Sequence, residues 1–159
     1  MLPIAKVPKF KLLEIIARIE FFKPFTVAER EQLLMHSTCY KCVKGHLVQS
    51  EFDNNSHFYI VLSGKVSIFK HGSETVLGHI NVGEFIGEGS FIKKRPKSAT
   101  AKAITDCIIL CVDQDTLSGL PHSIKDKFKN SVIEGMAKRI VYLTKNIQEL
   151  KKLDSGHHT

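Results

Sequence analysis

Phe58-Tyr59-Ile60-Val61-Leu62-Ser63-Gly64-Lys65-Val66-Ser67-Ile68 decides the fold class. Phe58, Ile60, Leu62, Val66 and Ile68 share one parity, while His57, Tyr59, Ser63, Lys65 and Ser67 fall mostly on the other, the period of a half-buried strand. Ser63-Gly64 breaks the run where a tight turn would join two antiparallel strands, and Lys44-Gly45, His71-Gly72 and Val82-Gly83 repeat that punctuation. Short strands so spaced close into a sandwich or barrel. The last alternating stretch is Ile104 to Val112. The fold class expected is mainly β with flanking helices.

Helical periodicity flanks these strands on both sides. Leu12, Leu13, Ile15, Ile16 and Ile19 predict an amphipathic helix from Phe10 to Phe22, closed near Pro24. Thr26-Val27-Ala28-Glu29 has the spacing of a capping box, so a short second helix should run to about His36. Beyond the strands, Asp113 can cap a short helix over Gln114 to Ser118, ended by Gly119 and Pro121. Ser123-Ile124-Lys125-Asp126 opens the final helix, in which Ile133, Met136, Ile140, Leu143, Ile147 and Leu150 recur three and four residues apart. If it runs to about Leu153 it is roughly 45 Å long, more than a small barrel covers. The seam should therefore pack partly on a second copy. The divisions expected are an N-terminal helical segment at 1–37, strands at 38–113, C-terminal helices at 114–153 and a disordered tail at 154–159.

Composition narrows the function classes. At 159 residues, 43% hydrophobic and 25% charged, the chain suits one globular domain with a helical extension. No apolar run approaches a membrane span, and Met1-Leu2-Pro3-Ile4-Ala5-Lys6-Val7-Pro8 does not read as a secretory signal, so a cytoplasmic location is expected. The net charge of +7, from 23 basic and 16 acidic residues, favours anionic partners without naming one.

The chemistry concentrates in Gly83-Glu84-Phe85-Ile86-Gly87-Glu88-Gly89-Ser90-Phe91, followed by Arg95-Pro96-Lys97-Ser98-Ala99-Thr100. Gly87 and Gly89 let the backbone turn sharply and present consecutive amides, a cation and a hydroxyl follow at Lys97 and Ser98, and a lone carboxylate, Glu88, sits among donors. One small ligand uses all of them: phosphate oxygens for the amides, Lys97 and Ser98, and a sugar hydroxyl for Glu88. A glycine-rich turn followed by a solvated basic loop is the plain alternative; Lys93-Lys94-Arg95-Pro96-Lys97 can also be read as a nucleic-acid patch or targeting signal, against which a solvated loop over the cassette is the favoured reading.

From about Phe22 to Leu150 the sequence resembles the cyclic-nucleotide-binding domain family, that of the catabolite activator protein and of the regulatory subunits of cyclic-nucleotide-dependent kinases. The landmarks are Phe22-Lys23-Pro24-Phe25, Lys44-Gly45, the Phe58 to Val66 run, the phosphate-binding cassette just quoted, and Met136-Ala137-Lys138-Arg139. The resemblance implies an antiparallel, jelly-roll-like β-roll with N-terminal helices and a long C-terminal helix. It also implies a ligand, cyclic AMP or cyclic GMP, held by Ile86, Gly87, Glu88, Gly89, Ser90, Lys97, Ser98 and Ala99, with Leu143 and Thr144 facing the base. Glu88 would hold the ribose 2′-hydroxyl. Lys97 stands where the family has an arginine against the cyclic phosphate, which keeps the charge and gives up the two-pronged guanidinium contact. The alternative reading is a nucleotide-independent dimerisation or interaction module with a degenerate cassette.

Other chemistries find little in the sequence. Cys39 and Cys42 form C-x-x-C and Cys107 and Cys111 a second pair, but a spacing of three in a strand points two thiols to opposite faces, so reduced thiols and no metal are expected. The histidines show no ligand spacing. No nucleophile motif or paired carboxylate supports catalysis, and a non-enzyme is expected. No helix-turn-helix pattern follows the long helix, so a homodimer without direct DNA binding and without a membrane partner is expected.

Overall fold

The computed structural model describes residues 1–3, 8–73, 75–91, 97 and 99–157. Helix α1 spans Lys9–Ala17 and α2 spans Val27–Met35, with a 3₁₀ turn at Glu20–Phe22 between them. The single helix expected from Phe10 to Phe22 therefore stops early. Adjacent residues of a straight helix point about 100° apart, whereas Phe21 and Phe22 are both buried; an extended residue at Ile19 followed by the tighter turn makes that possible. α2 carries the predicted capping box: the Glu29 amide donates to Thr26 Oγ1 at 3.2 Å and the Thr26 amide donates to Glu29 Oε1 at 2.8 Å.

Among the described residues the strands are β1 (Leu2–Pro3), β2 (Thr38–Cys42), β3 (Leu47–Gln49), β4 (His57–Ser63), β5 (Val66–Phe69), β6 (Val76–Ile80), β7 (Phe85–Ile86), β8 (Thr100–Ala103) and β9 (Cys107–Asp113). They form two antiparallel sheets, ordered β1-β2-β9-β4-β7 and β3-β8-β5-β6. Helix α3 (Gln114–Ser118), capped by Asp113, leads to α4 (His122–His157). This is the β-roll with flanking helices expected from the sequence.

Three layers result, with a core on each side of the five-stranded sheet. Phe58, Ile60 and Leu62 of β4 face the helices with Phe21, Phe22, Ile124 and Phe128, whereas Tyr59 and Val61 face the inter-sheet core with Val66, Ile86, Ala101 and Ile109. β4 is thus buried on both faces, not half-buried as its alternation implied. Tyr59 and Val61 are themselves apolar, and the helical layer covers the face that a two-layer barrel would leave to water. Cys39 packs on the helical side and Cys42 in the inter-sheet core, on opposite faces of β2.

α4 also departs from expectation at its end. It continues through 154–157, where a disordered tail was expected from 154, because no proline interrupts the propagation of its hydrogen bonds. No helix among the described residues is long and apolar enough to cross a membrane.

Candidate functional site

The site is built on the turn that leaves β7. Gly87 has φ +93°, and a Cβ there would lie 2.5 Å from the His57 carbonyl oxygen, so only glycine fits. Ile86, paired with Tyr59, is anchored in the inter-sheet core. From that anchor the chain enters a second 3₁₀ turn, Glu88–Phe91, containing Gly89 and Ser90.

Glu88 faces α4. Arg139 donates through one guanidinium nitrogen to Glu88 Oε1 at 3.3 Å and through the other to the Phe85 carbonyl at 2.8 Å, with its guanidinium 5.6 Å from the centre of the Phe85 ring. One helical turn earlier, a Cβ on Gly135 would lie 2.4 Å from the same ring. The absent side chain seats α4 on Phe85, and the seat brings Arg139 to Glu88. The pair is partly exposed, so a competing hydroxyl can reach the carboxylate.

Lys97 occupies the other side of the turn. The residue is only 7% exposed, and its ammonium donates to the His57 carbonyl at 2.7 Å, beside Gly87. The Lys97 amide donates to the Asp53 carbonyl at 3.1 Å, tying the returning chain to the loop before β4. No carboxylate lies within ion-pair distance of this amine among the described residues. Burial pushes its pKa down, against smaller opposing pulls from Asp53, Cys111 and Glu88. Burial likewise pushes the Cys111 thiol up to about 12, so it is neutral at pH 7.

The remaining predicted residues divide. The Ala99 carbonyl accepts a hydrogen bond from the buried Gln49 amide at 3.1 Å, and Gln49 Oε1 has no partner among the described residues. Ser98, with Lys93, Lys94, Arg95 and Pro96, lies outside the described residues. Leu143 lines an open groove of about 870 Å³ between α4 and the run Leu77 to Phe85, whose walls include Gly78, Arg139 and Tyr142. Thr144 is not on that groove; its hydroxyl donates to the Ile140 carbonyl of its own helix at 2.8 Å. Lys97 is not on it either, its amine being turned onto β4.

Sequence reasoning named Arg139 as a landmark and missed it as a site residue, together with Gly135, Phe85 and the His57 carbonyl. A signal was present: Gly135 and Arg139 are four apart, hence on one helix stripe, and Arg139 is the sole arginine of α4. The His57 carbonyl carried no signal, since any residue supplies one.

The four cysteines are free, and no three His, Cys, Asp or Glu side chains converge among the described residues.

The fold and the cassette turn together define a class. The profile of the cyclic nucleotide-binding domain matches residues 41–122, more than half of the chain, and the chain belongs to that family. It is 26% identical over 145 residues to a cGMP-dependent protein kinase of Toxoplasma gondii, covering 88% of this chain and 14% of the kinase. It is 24% identical over 140 residues to a CRP-like cAMP-activated global transcriptional regulator of Mycobacterium tuberculosis, covering 86% of this chain and 62% of the regulator. The chain thus spans about one seventh of the first relative and under two thirds of the second. In fold it is similar to a cyclic nucleotide-binding domain from Methylobacillus flagellatus, with a TM-score of 0.75 at 22% identity over 88% of this chain and 82% of that one.

Proposed function

We propose that the chain is a regulatory sensor module that binds cyclic AMP or cyclic GMP and reports occupancy through α4. The observation that carries this reading is Lys97: a buried lysine whose ammonium has one carbonyl and no carboxylate partner among the described residues. Burying a charge without a directly paired partner is costly, and a cyclic phosphate brings a counter-charge to the amine. Glu88 then accepts the ribose 2′-hydroxyl, and the amides of the turn, Ser98 and Ala99 complete the phosphate cradle. A hydroxyl arriving at Glu88 competes with Arg139, so the ligand acts directly on the contact that seats α4.

The exposed seam of α4, Ile133, Ile140, Leu143, Ile147 and Leu150, fits a parallel two-fold homodimer that carries the signal onward. The module is placed in the cytoplasm, with a cyclic nucleotide and a second copy of itself as its partners.

A second reading has its own observation. Lys97 is already bonded to His57 and Glu88 to Arg139, an arrangement that also suits a nucleotide-independent dimerisation module. Calorimetric titration with cyclic AMP, cyclic GMP and a cyclic dinucleotide separates the two. Binding of a cyclic mononucleotide, weakened by Glu88→Ala by about 1.5–3 kcal/mol, is expected. Absence of heat with all three, in a folded chain, overturns the sensor reading in favour of the second.

A further inference from the structure

Where the chain returns from the cassette to the sheet, three hydrogen bonds among the described residues tie it to β3 and the loop that follows. The Lys97 amide donates to the Asp53 carbonyl at 3.1 Å, the Glu51 amide donates to Thr100 Oγ1 at 3.2 Å, and the Gln49 side-chain amide donates to the Ala99 carbonyl at 3.1 Å. Only the first joins backbone to backbone.

Gln49 reaches that carbonyl because β3 is irregular. Leu47 pairs with Lys102 and Gln49 with Ala101, so three residues of β3 span two of β8. Strict alternation would bury one of two neighbouring side chains, yet Val48 and Gln49 are both buried, Gln49 at 6% exposure. The bulge thus re-aims a polar side chain beside the candidate site.

The buried carboxamide is only half used. Nε2 has the Ala99 carbonyl, whereas Oε1 has no partner among the described residues. Reversing the amide would set oxygen against oxygen, so the donor must face Ala99. A buried acceptor without a donor costs stability, and a methionine of nearly the same length would avoid that cost. The half-buried Ala99 carbonyl could then turn to water. Stability of the fold is therefore no reason for an amide at this position.

We infer that Gln49 is a positioning residue for ligand binding: it pins the cassette's return at Ala99 and so keeps the Lys97 ammonium over the turn. The inference rests on the cyclic-nucleotide reading above. Lys97 joins the two limbs of the cassette, its ammonium bonded to the His57 carbonyl and 3.3 Å from where a Cβ on Gly87 would stand. Ala99 is two residues on, about 7 Å of extended chain, so slack at Ala99 passes directly to Lys97. An ammonium on a flexible stem has no rigid fork to orient it, and its aim depends on where its backbone is held.

The test is a double-mutant cycle read by calorimetric titration of the whole chain with cyclic AMP and with cyclic GMP. Gln49→Met keeps the length of the side chain and removes the donor. It should weaken binding of whichever nucleotide the parent binds by roughly 2- to 13-fold, the worth of one neutral hydrogen bond, while urea unfolding shows stability unchanged or raised. In the Lys97→Ala background the same change should have no further effect on affinity, since the residue it positions is gone. A merely structural role predicts the opposite pattern: affinity falls together with stability, and by the same factor in both backgrounds. Either of those results, or undiminished affinity of Gln49→Met, overturns the positioning role and leaves the sensor reading standing. Gln49→Leu repeats the measurement where Gln49→Met does not fold, and unfolding of both makes Gln49 structural and overturns the role as well. A parent that binds neither nucleotide removes the sensor reading and this inference with it.

Discussion

The two halves of α4 obey different rules. Up to Gly135 the helix is bound into the fold: Ile124 and Phe128 are 1% exposed, Phe128 touches the rings of Phe21 and Phe58, and Ser131 donates to the Phe21 carbonyl at 2.8 Å. After Arg139 the apolar residues continue at the same period, yet Ile140, Leu143, Ile147 and Leu150 are all more than half exposed. The first half is held by its own chain, and the second carries a hydrophobic stripe that the chain leaves uncovered. Arg139 stands at the boundary, and its contacts are to the cassette turn. The point where α4 passes from fixed to free is thus the point a ligand would touch.

Cutting the chain after Arg139 puts this comparison under the heaviest load. The parent is expected to be a dimer and the truncated chain a monomer with its β-roll intact, read by light scattering and circular dichroism. A monomeric parent at micromolar concentration, with and without nucleotide, would remove the dimer from the proposal. Within the intact chain, Phe128→Ala should cost about 3–5 kcal/mol in urea unfolding, as deletion of a buried aromatic ring does. Ile147→Ala, the same kind of deletion on the free half, should stay within about 0.5 kcal/mol when the unfolding is followed below the dimerisation concentration.

Lys97 sharpens the boundary from the ligand side. Lys97→Ala should weaken cyclic-nucleotide binding by about 1.5–3 kcal/mol, whereas Lys97→Arg, which supplies the two-pronged contact, should tighten it. The pH dependence has a definite sign. Burial depresses the amine's pKa in the free protein, and an anion beside it raises that value again. Affinity is therefore full below the depressed pKa and declines as pH rises from there toward the ordinary lysine value. A calorimetric series at alkaline pH should show that decline in the parent and not in Lys97→Ala. If Lys97→Ala binds as tightly as the parent, the amine serves only to bond the cassette to the His57 carbonyl.

Legibility of the sequence followed the range of the interactions involved. The capping box at Thr26 and Glu29, the turn glycines and the start of the long helix are set by residues a few positions apart, and each is where local reasoning put it. The end of α1 at Ala17 is set by the burial of Phe21 and Phe22 against Phe58, Phe85 and Phe128, which no local window contains. In the cassette, Gly87 and Glu88 stood out as candidates because their residue types have few substitutes. The partners that define their geometry, the His57 carbonyl 30 residues earlier and Arg139 51 residues later, were not.

A smaller effect than those at Phe128 and Lys97 is expected from what holds the fixed half of α4 at its start. Lys127 donates to Glu29 Oε1 at 2.6 Å, the oxygen that also accepts the Thr26 amide, so one carboxylate both caps α2 and ties it to α4. The Lys127 ammonium beside it, with the Thr26 amide, holds this carboxyl at about 2. Because the folded pKa lies below the ordinary carboxylate value, the tie contributes fully above about pH 4.5 and is lost as pH falls toward 2. Glu29→Gln keeps an acceptor for the Thr26 amide and removes the charge, and Glu29→Ala removes both. Urea unfolding at pH 7 should therefore rank parent, Glu29→Gln, Glu29→Ala, with steps of about 0.5–1 kcal/mol each, and the gap between parent and Glu29→Gln should close between pH 4.5 and 2. A gap that persists unchanged at pH 2 would mean that Lys127 contributes packing of its stem and not charge. The first half of α4 would then be held by its buried rings alone.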